Sequence, residues 1–322
     1  MLLRGLRALG LGLALSLAAI GGPASAGSLR FLESAPTHYD FVDIPRLPPE
    51  FGRGEFSLEL WIKPDASFPV GEVWPPSYGQ LKNWASEDNR PYGSDMWWVS
   101  GNWLLDGHTR PKGYGPGDTR EGTLSLQFYG GGRLRVMFAD KTEGMPRGGV
   151  YAVQATPASK AKSLLDGRWH HVVALRRWRE PTGATLELWV DGAMVGSTDI
   201  PDRTNMRRFW GDLAHPDDPK ELGGWALGAE VMTAWKFAVT QFEDYKGLVD
   251  DIRFWGGALS PEQIRRLSSG ARPAAGERPL AWFSFDEGRG ARTRDRLDPG
   301  YAWTLHRATP QTWSRENGPA SE

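Results

Sequence analysis

The chain has no cysteine among its 322 residues. Disulfide bonds, thiolate zinc sites, iron–sulfur clusters and catalytic thiols are therefore excluded. An excess of charge of either sign is also lacking, since 38 lysines and arginines accompany 39 aspartates and glutamates. This near-neutral balance argues against binding to a phosphate backbone, so no nucleic-acid partner is expected. The sequence also lacks a Gly-x-Ser-x-Gly elbow, a phosphate-binding loop and a dinucleotide-binding fingerprint.

The first 26 residues have the pattern of an export signal. Arg4 and Arg7 precede an apolar run over residues 9–20, and Ala24-Ser-Ala26 offers the small-x-small motif that signal peptidase accepts. This run is shorter than the ~20 residues that a membrane span needs. We therefore expect cleavage after Ala26, no membrane span in the mature chain, and a periplasmic or secreted location. Cleavage leaves 36 basic and 39 acidic residues, a net charge of −3.

Alternating apolar and polar residues predict antiparallel strands. In Thr185-Leu-Glu-Leu-Trp-Val190 the apolar side chains of Leu186, Leu188 and Val190 fall on one face, the period of two that marks a half-buried strand. The Asp-Gly dipeptides at 166–167 and 191–192 suit the tight turns of hairpins. Only one helix is predicted with a full set of signals, since Ser260 can cap it, Pro261 can open it and Gln263 can close a capping box.

These features predict an all-β fold: a two-sheet antiparallel jelly-roll sandwich with one short helix. We interpret residues 27–322 as a single domain. Two long irregular stretches, at 67–122 and 202–224, are expected to be insertions, and the region from 280 onward is expected to add about two strands.

Several strand motifs occur together in the order typical of one known family. They are Phe56-Ser-Leu-Glu-Leu-Trp-Ile-Lys-Pro64, Asp166-Gly-Arg-Trp-His-His-Val-Val173, Leu188-Trp-Val-Asp-Gly192, Gly247-Leu-Val-Asp-Asp-Ile-Arg-Phe-Trp255 and Ala258-Leu-Ser-Pro-Glu-Gln-Ile264. On these residues the chain resembles the laminin-G-like branch of the concanavalin A-like lectin/glucanase superfamily. The resemblance implies a curved sheet that often handles glycans, and it does not by itself imply catalysis.

Asp250 is the residue most suggestive of a metal. Strict alternation would put it in one row with Leu248, Ile252 and Phe254, where a bare carboxylate would be costly to bury. The resemblance implies a structural calcium ion bound by Asp250, with Glu33 as the first candidate for a second ligand and Asp40 and Asp43 as the next candidates. Hard oxygen ligands suit calcium. A salt bridge or hydrogen bonds within a turn are the alternative.

Catalytic candidates are weak. The retaining glucanases of the resembled superfamily carry Glu-x-Asp-x-Glu on one strand, and this triplet does not occur here. Glu59 and Glu187 share the tryptophan-bearing faces of their strands and would converge only if those strands were neighbours. Adjacent histidines on a strand point to opposite faces, so His170 and His171 cannot chelate one ion; we expect them to be structural, with His171 beside Trp169 on the core side.

Aromatic residues in the first insertion are the best candidates for ligand binding. The sequence holds 16 tryptophans, and sugar rings stack on such side chains while polar neighbours bond the hydroxyl groups. The candidates are Trp97, Trp98 and Trp103, followed by Trp84 and Tyr114. Packing of these rings into a small satellite core is the alternative.

Three functions follow as hypotheses. The first is an exported, non-catalytic module that binds a glycan or a cell-surface protein through its aromatic-rich loops. A second is a polysaccharide-degrading enzyme, either a glycoside hydrolase or a lyase, with a non-standard site on the concave face. The third is a structural or adhesive surface protein. The sequence does not discriminate among oligomeric states.

Overall fold

A computed structural model describes most of the chain beyond the predicted signal. It describes residues 27–32, 41–45, 47–48, 50–52, 54–67, 102–108, 122–129, 132–140, 149–154, 163–181, 183–200, 225–229, 245–306 and 308–319. Within these ranges no helix is long and apolar enough to cross a membrane.

The described ranges contain sixteen strands and one α-helix. The first eight strands are β1 (Ser28–Phe31), β2 (Phe41–Ile44), β3 (Phe56–Pro64), β4 (Asn102–His108), β5 (Gly122–Tyr129), β6 (Arg133–Asp140), β7 (Gly149–Gln154) and β8 (His170–Trp178). The others are β9 (Ala184–Val190), β10 (Ala193–Ile200), β11 (Trp225–Leu227), β12 (Gly247–Trp255), β13 (Ala281–Phe283), β14 (Arg292–Arg294), β15 (Ala302–His306) and β16 (Trp313–Ser314). Helix α1 spans Pro261–Ser268, and a 3-10 turn spans Pro310–Thr312.

The strands form two antiparallel sheets of eight. In the first sheet the order is β10-β9-β8-β3-β12-β1-β16, with β13 also paired to β12. In the second sheet the order is β14-β15-β2-β11-β4-β5-β6-β7. The predicted two-sheet antiparallel sandwich is confirmed.

One hydrophobic core draws on both sheets. Alternate residues of β3, such as Leu58 and Leu60, contribute from the first sheet, and alternate residues of β5, such as Leu126 and Phe128, contribute from the second. All four side chains are buried. The period of two therefore assigns each strand one face toward the core and one face away from it.

Helix α1 covers the far face of the first sheet. Its Ile264 and Leu267 pack with Val173, Leu175 and Trp255 in a second, smaller apolar cluster. The predicted capping box is present, since Ser260 Oγ accepts from Gln263 N and Gln263 Oε1 accepts from Ser260 N. The far face of the first sheet is consequently closed in this region.

The C-terminal region adds four strands instead of the two expected. β14 and β15 extend the second sheet beside β2, whereas β13 and β16 join the first sheet beside β12 and β1. The tail is tied to the first strand as well, because Ser28 Oγ donates to the Glu316 carbonyl at 2.6 Å. The two ends of the described chain are therefore held together.

Strand β4 lies inside the stretch 67–122 that the sequence analysis treated as irregular. It pairs with β5 through a bulge between Trp103 and Leu105, so that Leu104 and Leu105 both join the core. A bulge inserts one residue and breaks the period of two. This is why the alternation pattern did not reveal the strand.

Candidate functional site

The second sheet has a face that points away from the core, here called the outward face. On β5, Leu124, Leu126 and Phe128 belong to the core, so Ser125 and Gln127 between them lie on the outward face. The same alternation places further polar side chains there from β2, β4 and β6, namely Asp43, Asp106 and Arg135. Neighbouring strands thus put several hydrogen-bonding groups on one surface.

Register aligns part of this surface into a row across the strands. Cα partners run in the order Thr304, Asp43, Ala226, Asp106 and Ser125. Thr304 is exposed, the Asp43 side chain retains 20% exposure, and Ala226, Asp106 and Ser125 are buried. The outward face is therefore open at the β15 end and closed at the β5 end.

Polar atoms on the closed part are incompletely paired. Arg135 donates from Nη2 to Gln127 Oε1, which leaves the Gln127 amide nitrogen pointing elsewhere. Gln127 Nε2 and Ser125 Oγ are buried and have no hydrogen-bond partner among the described residues. Buried polar groups normally have a partner, and ordered water commonly supplies it where no protein atom does.

Sequence reasoning missed these residues, although a signal was present. The segment Leu124-Ser-Leu-Gln-Phe128 alternates strictly, and its polar members have the spacing of the solvent side of a strand. Complete burial of Ser125 and Gln127 is a tertiary property, because it depends on segments distant in sequence.

Only one of the five aromatic candidates for ligand binding lies within the described residues. Trp103 lies on β4 opposite Gln127 and is fully buried. Trp84, Trp97, Trp98 and Tyr114 lie outside the described residues, so their proposed contact with a ligand stays a prediction.

Glu59 and Glu187 do not converge. Strand β8 separates their strands, β3 and β9, in the first sheet. Glu187 is 7% exposed and bonds Arg177 Nε at 3.0 Å and Trp189 Nε1 at 2.8 Å. Glu59 is completely buried. Both lie buried on the far face of the first sheet, and this placement does not favour catalysis.

Glu59 is the centre of a buried polar cluster. It accepts from Arg253 Nη1 at 2.6 Å, from Trp255 Nε1 at 2.9 Å and contacts His171 Nε2 at 3.1 Å. Burial alone would raise the pKa of Glu59, but the Arg253 charge and these hydrogen bonds outweigh burial and lower the pKa. Glu59 is therefore held as a carboxylate with a structural role.

His171 faces this cluster and not the core, which corrects the expected orientation. Its ring lies 5.0 Å from the Trp61 ring, on the same side of the sheet as Glu59. His170 points the other way and bonds Asp191 at 2.8 Å and Asp166 at 3.0 Å. Burial lowers the pKa of His170, but the two carboxylates outweigh it and raise the pKa above its ordinary value. The two imidazoles therefore make separate structural contacts on opposite faces of the strand.

A bulge changes the predicted face of Asp250. The register of β12 against β3 shifts between Asp250 and Arg253, and Asp251 has a left-handed φ of 48°. Val249, Ile252 and Phe254 are the core residues of the strand. Asp250 thus lies on the opposite face from Ile252 and Phe254, because the extra residue reverses the alternation.

Asp250 is fully buried beneath the C-terminal tail. Its Oδ2 accepts from Gly318 N at 2.7 Å and its Oδ1 from Asp251 N at 2.8 Å. Backbone N–H groups at these distances stabilise a carboxylate without a cation. The bond from Asp251 N is local, as the alternative interpretation expects of a turn, whereas the bond from Gly318 N comes from the C-terminal tail and was not predicted.

The described part of the proposed calcium site does not assemble. Asp43 belongs to the second sheet and Asp250 to the first. Glu33 and Asp40 lie outside the described residues. Within the described ranges no group of three or more His, Asp or Glu side chains is placed to hold a metal ion. Calcium binding therefore stays a prediction that depends on Glu33 and Asp40.

Comparisons with solved structures return similar architectures at low identity. A putative carbohydrate binding protein from Bacteroides ovatus is 17% identical with a TM-score of 0.47, and the match covers 88% of this chain but 59% of that one. A heptameric SAP-like pentraxin from Limulus polyphemus is 13% identical with a TM-score of 0.42, covering 77% and 83%. An endo-beta-1,4-glucuronan lyase from Trichoderma reesei is 13% identical with a TM-score of 0.37, covering 74% and 83%.

Curated proteins include no match to this sequence. A family model described as the concanavalin A-like lectin/glucanases superfamily matches residues 105–265. This segment runs from β4 through most of α1 and makes up half of the chain. The protein therefore belongs to the concanavalin A-like lectin/glucanases superfamily, the family that its strand motifs resemble.

Proposed function

We propose that the protein is an exported, non-catalytic carbohydrate-binding module that holds a glycan against the outward face of its second sheet. The observation that carries the proposal is the open β15 end of the outward face, where Thr304 is exposed and the Asp43 side chain retains 20% exposure. Sugar hydroxyls can both donate and accept hydrogen bonds, so they can bond the threonine hydroxyl and the aspartate carboxylate side by side.

The chemistry of the outward face supports a polar, uncharged ligand. Thr304 supplies a neutral group, and the exposed Arg292 carries a charge opposite to that of Asp43. A ligand bound by such a surface needs no large net charge, in agreement with the near-neutral composition. The aromatic residues Trp84, Trp97, Trp98 and Tyr114 remain the proposed stacking partners from the insertion.

Export follows from the signal-like first 26 residues and stays part of the proposal. An exported glycan-binding module would meet its ligand in the periplasm, in the medium or at a cell surface. Whether the glycan is free or attached to a protein changes the partner and leaves the chemistry of recognition the same.

A glycan array combined with two product assays tests the proposal. Binding without release of reducing ends or unsaturated sugars supports a non-catalytic module. Binding with either product contradicts the non-catalytic part. Failure to bind any glycan contradicts the proposal and leaves a structural or adhesive role.

A further inference from the structure

An aromatic pair lies at the open end of the outward face. Phe41 on β2 and His306 on β15 are Cα partners, and their rings stack with centroids 4.3 Å apart and planes inclined by 9°. Both residues are partly exposed. Aromatic pairs across neighbouring strands stabilise a sheet, and the partial exposure of this pair also leaves ring atoms within reach of a ligand.

The exposed part of His306 is ring surface. Its side chain is 38% exposed, yet its Nε2 atom is buried and turned toward Asp43, with 3.9 Å between Nε2 and Oδ2. That separation is too long for a direct hydrogen bond. The remaining atoms of the imidazole therefore account for the exposure.

Hydrogen-bonding groups flank this surface on adjacent strands. Thr304 is registered to Asp43 on one side and to Arg292 on the other, and both Thr304 and Arg292 are exposed. Thr293, next to Arg292, is buried opposite the core residue Trp303, so Arg292 lies on the outward side of β14. The guanidinium donor of Arg292, the hydroxyl of Thr304 and the carboxylate acceptor of Asp43 thus lie side by side on three neighbouring strands.

This combination matches the chemistry of a pyranose. The C–H face of a sugar can stack on the outer face of one ring of the pair, while its hydroxyls bond Asp43, Thr304 and Arg292. The charges of Asp43 and Arg292 balance, so a neutral sugar meets no uncompensated charge. A uronate placed on the rings would have to approach the Asp43 carboxylate, which disfavours an anionic ligand.

The ring pair belongs to the open part of the outward face. Thr304 and Asp43 beside it keep solvent exposure, whereas Ala226, Asp106 and Ser125 further along the registered row are buried. The open part lies on β14, β15 and β2, two strand spacings or about 10 Å across. That span suits one or two sugar rings at the end of a glycan chain.

We propose that Phe41 and His306 form a subsite for the neutral end of a glycan chain at the open β15 end of the outward face. This inference rests on the proposed glycan-binding function and specifies the ligand class and the place where it binds. It also gives a role to β14 and β15, the strands that the C-terminal region adds to the second sheet.

The test uses purified mature protein and defined probes. Neutral hexasaccharides of glucose, xylose, mannose and galactose are compared with hexasaccharides of glucuronate and galacturonate, by calorimetric titration. We expect at least one neutral hexasaccharide to bind and both oligouronates to bind weakly or not at all.

Variants then locate the subsite. Phe41→Ala and His306→Ala should each weaken binding about tenfold, the size expected when a ring stack is lost. Phe41→Tyr keeps the ring and should bind as the unaltered protein does. Met194→Ala, at an exposed position on the first sheet, is the matched surface control and should change nothing. Melting curves confirm that each variant is folded, and His306→Asn provides a milder change if Phe41→Ala unfolds.

The outcomes separate the inference from the function on which it rests. Unchanged affinity in both Phe41→Ala and His306→Ala, with glycan binding retained, overturns the subsite and leaves the glycan-binding function standing. Binding of oligouronates alone overturns the neutral class. Binding of no glycan by the unaltered protein overturns both the function and the subsite.

Discussion

Arg253 Nη1 lies 2.6 Å from Glu59 Oε1, and neither side chain is exposed to solvent. The guanidinium also contacts Asp251, with Nη2 3.2 Å from Oδ1, so one buried cation faces two carboxylates. Burial raises the pKa of Asp251, and the negative charge of Glu59 acts in the same direction against the attraction of Arg253. Arg253 is therefore the cation that both buried carboxyl groups contact.

Removing Arg253 should strongly destabilise the fold. Arg253→Met leaves Glu59 buried without its cation, which typically costs about 3–5 kcal/mol in the free energy of unfolding. The double variant Glu59→Leu with Arg253→Met removes both charges and should recover a large part of that loss. Urea unfolding of the two single variants and the double variant measures the coupling. Additive losses, with no recovery in the double variant, would contradict the assigned pair.

Close packing around Asp250 gives a second prediction. A Cβ added at Gly318 would lie 3.0 Å from Asp250 Oδ2 and 3.2 Å from its Cβ, while one added at Gly257 would meet nothing within 4 Å. Gly318→Ala should therefore lower the melting temperature, because it displaces the tail from the carboxylate. Gly257→Ala is the matched control and should leave the melting temperature nearly unchanged. Equal effects of the two substitutions would show that the tail does not rest on Asp250.

Calcium binding is tested independently of that packing. If Asp250 with Glu33 and Asp40 holds calcium, a chelator should lower the melting temperature and added calcium should restore it. Asp250→Ala should abolish that shift, because it removes the central ligand. Identical melting curves with and without chelator would contradict calcium binding at Asp250.

His170 should make stability depend on pH. The folded protein raises the pKa of His170 above 6.5, since Asp191 and Asp166 outweigh burial. The folded state therefore binds the proton more tightly than the unfolded state does. The resulting stabilisation is fully present below about pH 6.5 and is lost as the pH rises through the folded pKa.

Comparison with His170→Gln isolates this contribution. The difference in unfolding free energy between the unaltered protein and His170→Gln should be largest on the acid side of the folded pKa and should shrink on the alkaline side. Unfolding curves in urea at pH values on both sides measure it. A difference that is constant with pH would show that the imidazole is not protonated between the two aspartates.

Local sequence patterns were sufficient for most of the scaffold. Strand β9 alternates without interruption, the Asp191-Gly192 turn follows it, and helix α1 carries its whole cap within four residues. Each of these signals acts between neighbours in sequence, so the amino-acid order alone is enough to predict the element. The sandwich architecture then follows from many short alternating strands and the lack of long amphipathic helices.

Two bulges account for the main errors. At Leu104 an extra residue hid strand β4, and at Asp251 an extra residue reversed the face of Asp250. Aspartate tolerates the left-handed backbone that such a bulge requires. The Asp-Asp dipeptide at 250–251, inside an otherwise apolar strand, was the available hint.

The candidate site was less predictable than the scaffold. Ser125 and Gln127 have the spacing of ordinary solvent-facing strand residues, and only the folded chain shows that they are buried. Phe41 and His306 are 265 positions apart in the sequence and meet because β15 pairs with β2. Pairings of this kind depend on topology, which local patterns do not encode.

An exposed threonine and a buried serine provide the most direct test of glycan binding at the outward face. Thr304 on β15 is exposed at the open end of that face, whereas Ser57 on β3 is fully buried, donates to the Gly257 carbonyl and accepts from Leu259 N. Replacing either with alanine removes one hydroxyl group, from a solvent-facing place in Thr304 and from a structural contact in Ser57.

The measurement is glycan affinity and unfolding free energy for Thr304→Ala and Ser57→Ala side by side. We expect Thr304→Ala to lose affinity about tenfold with little change in stability, and Ser57→Ala to lose about 1 kcal/mol of stability with affinity intact. Full glycan affinity in Thr304→Ala would contradict binding at the open end of the outward face.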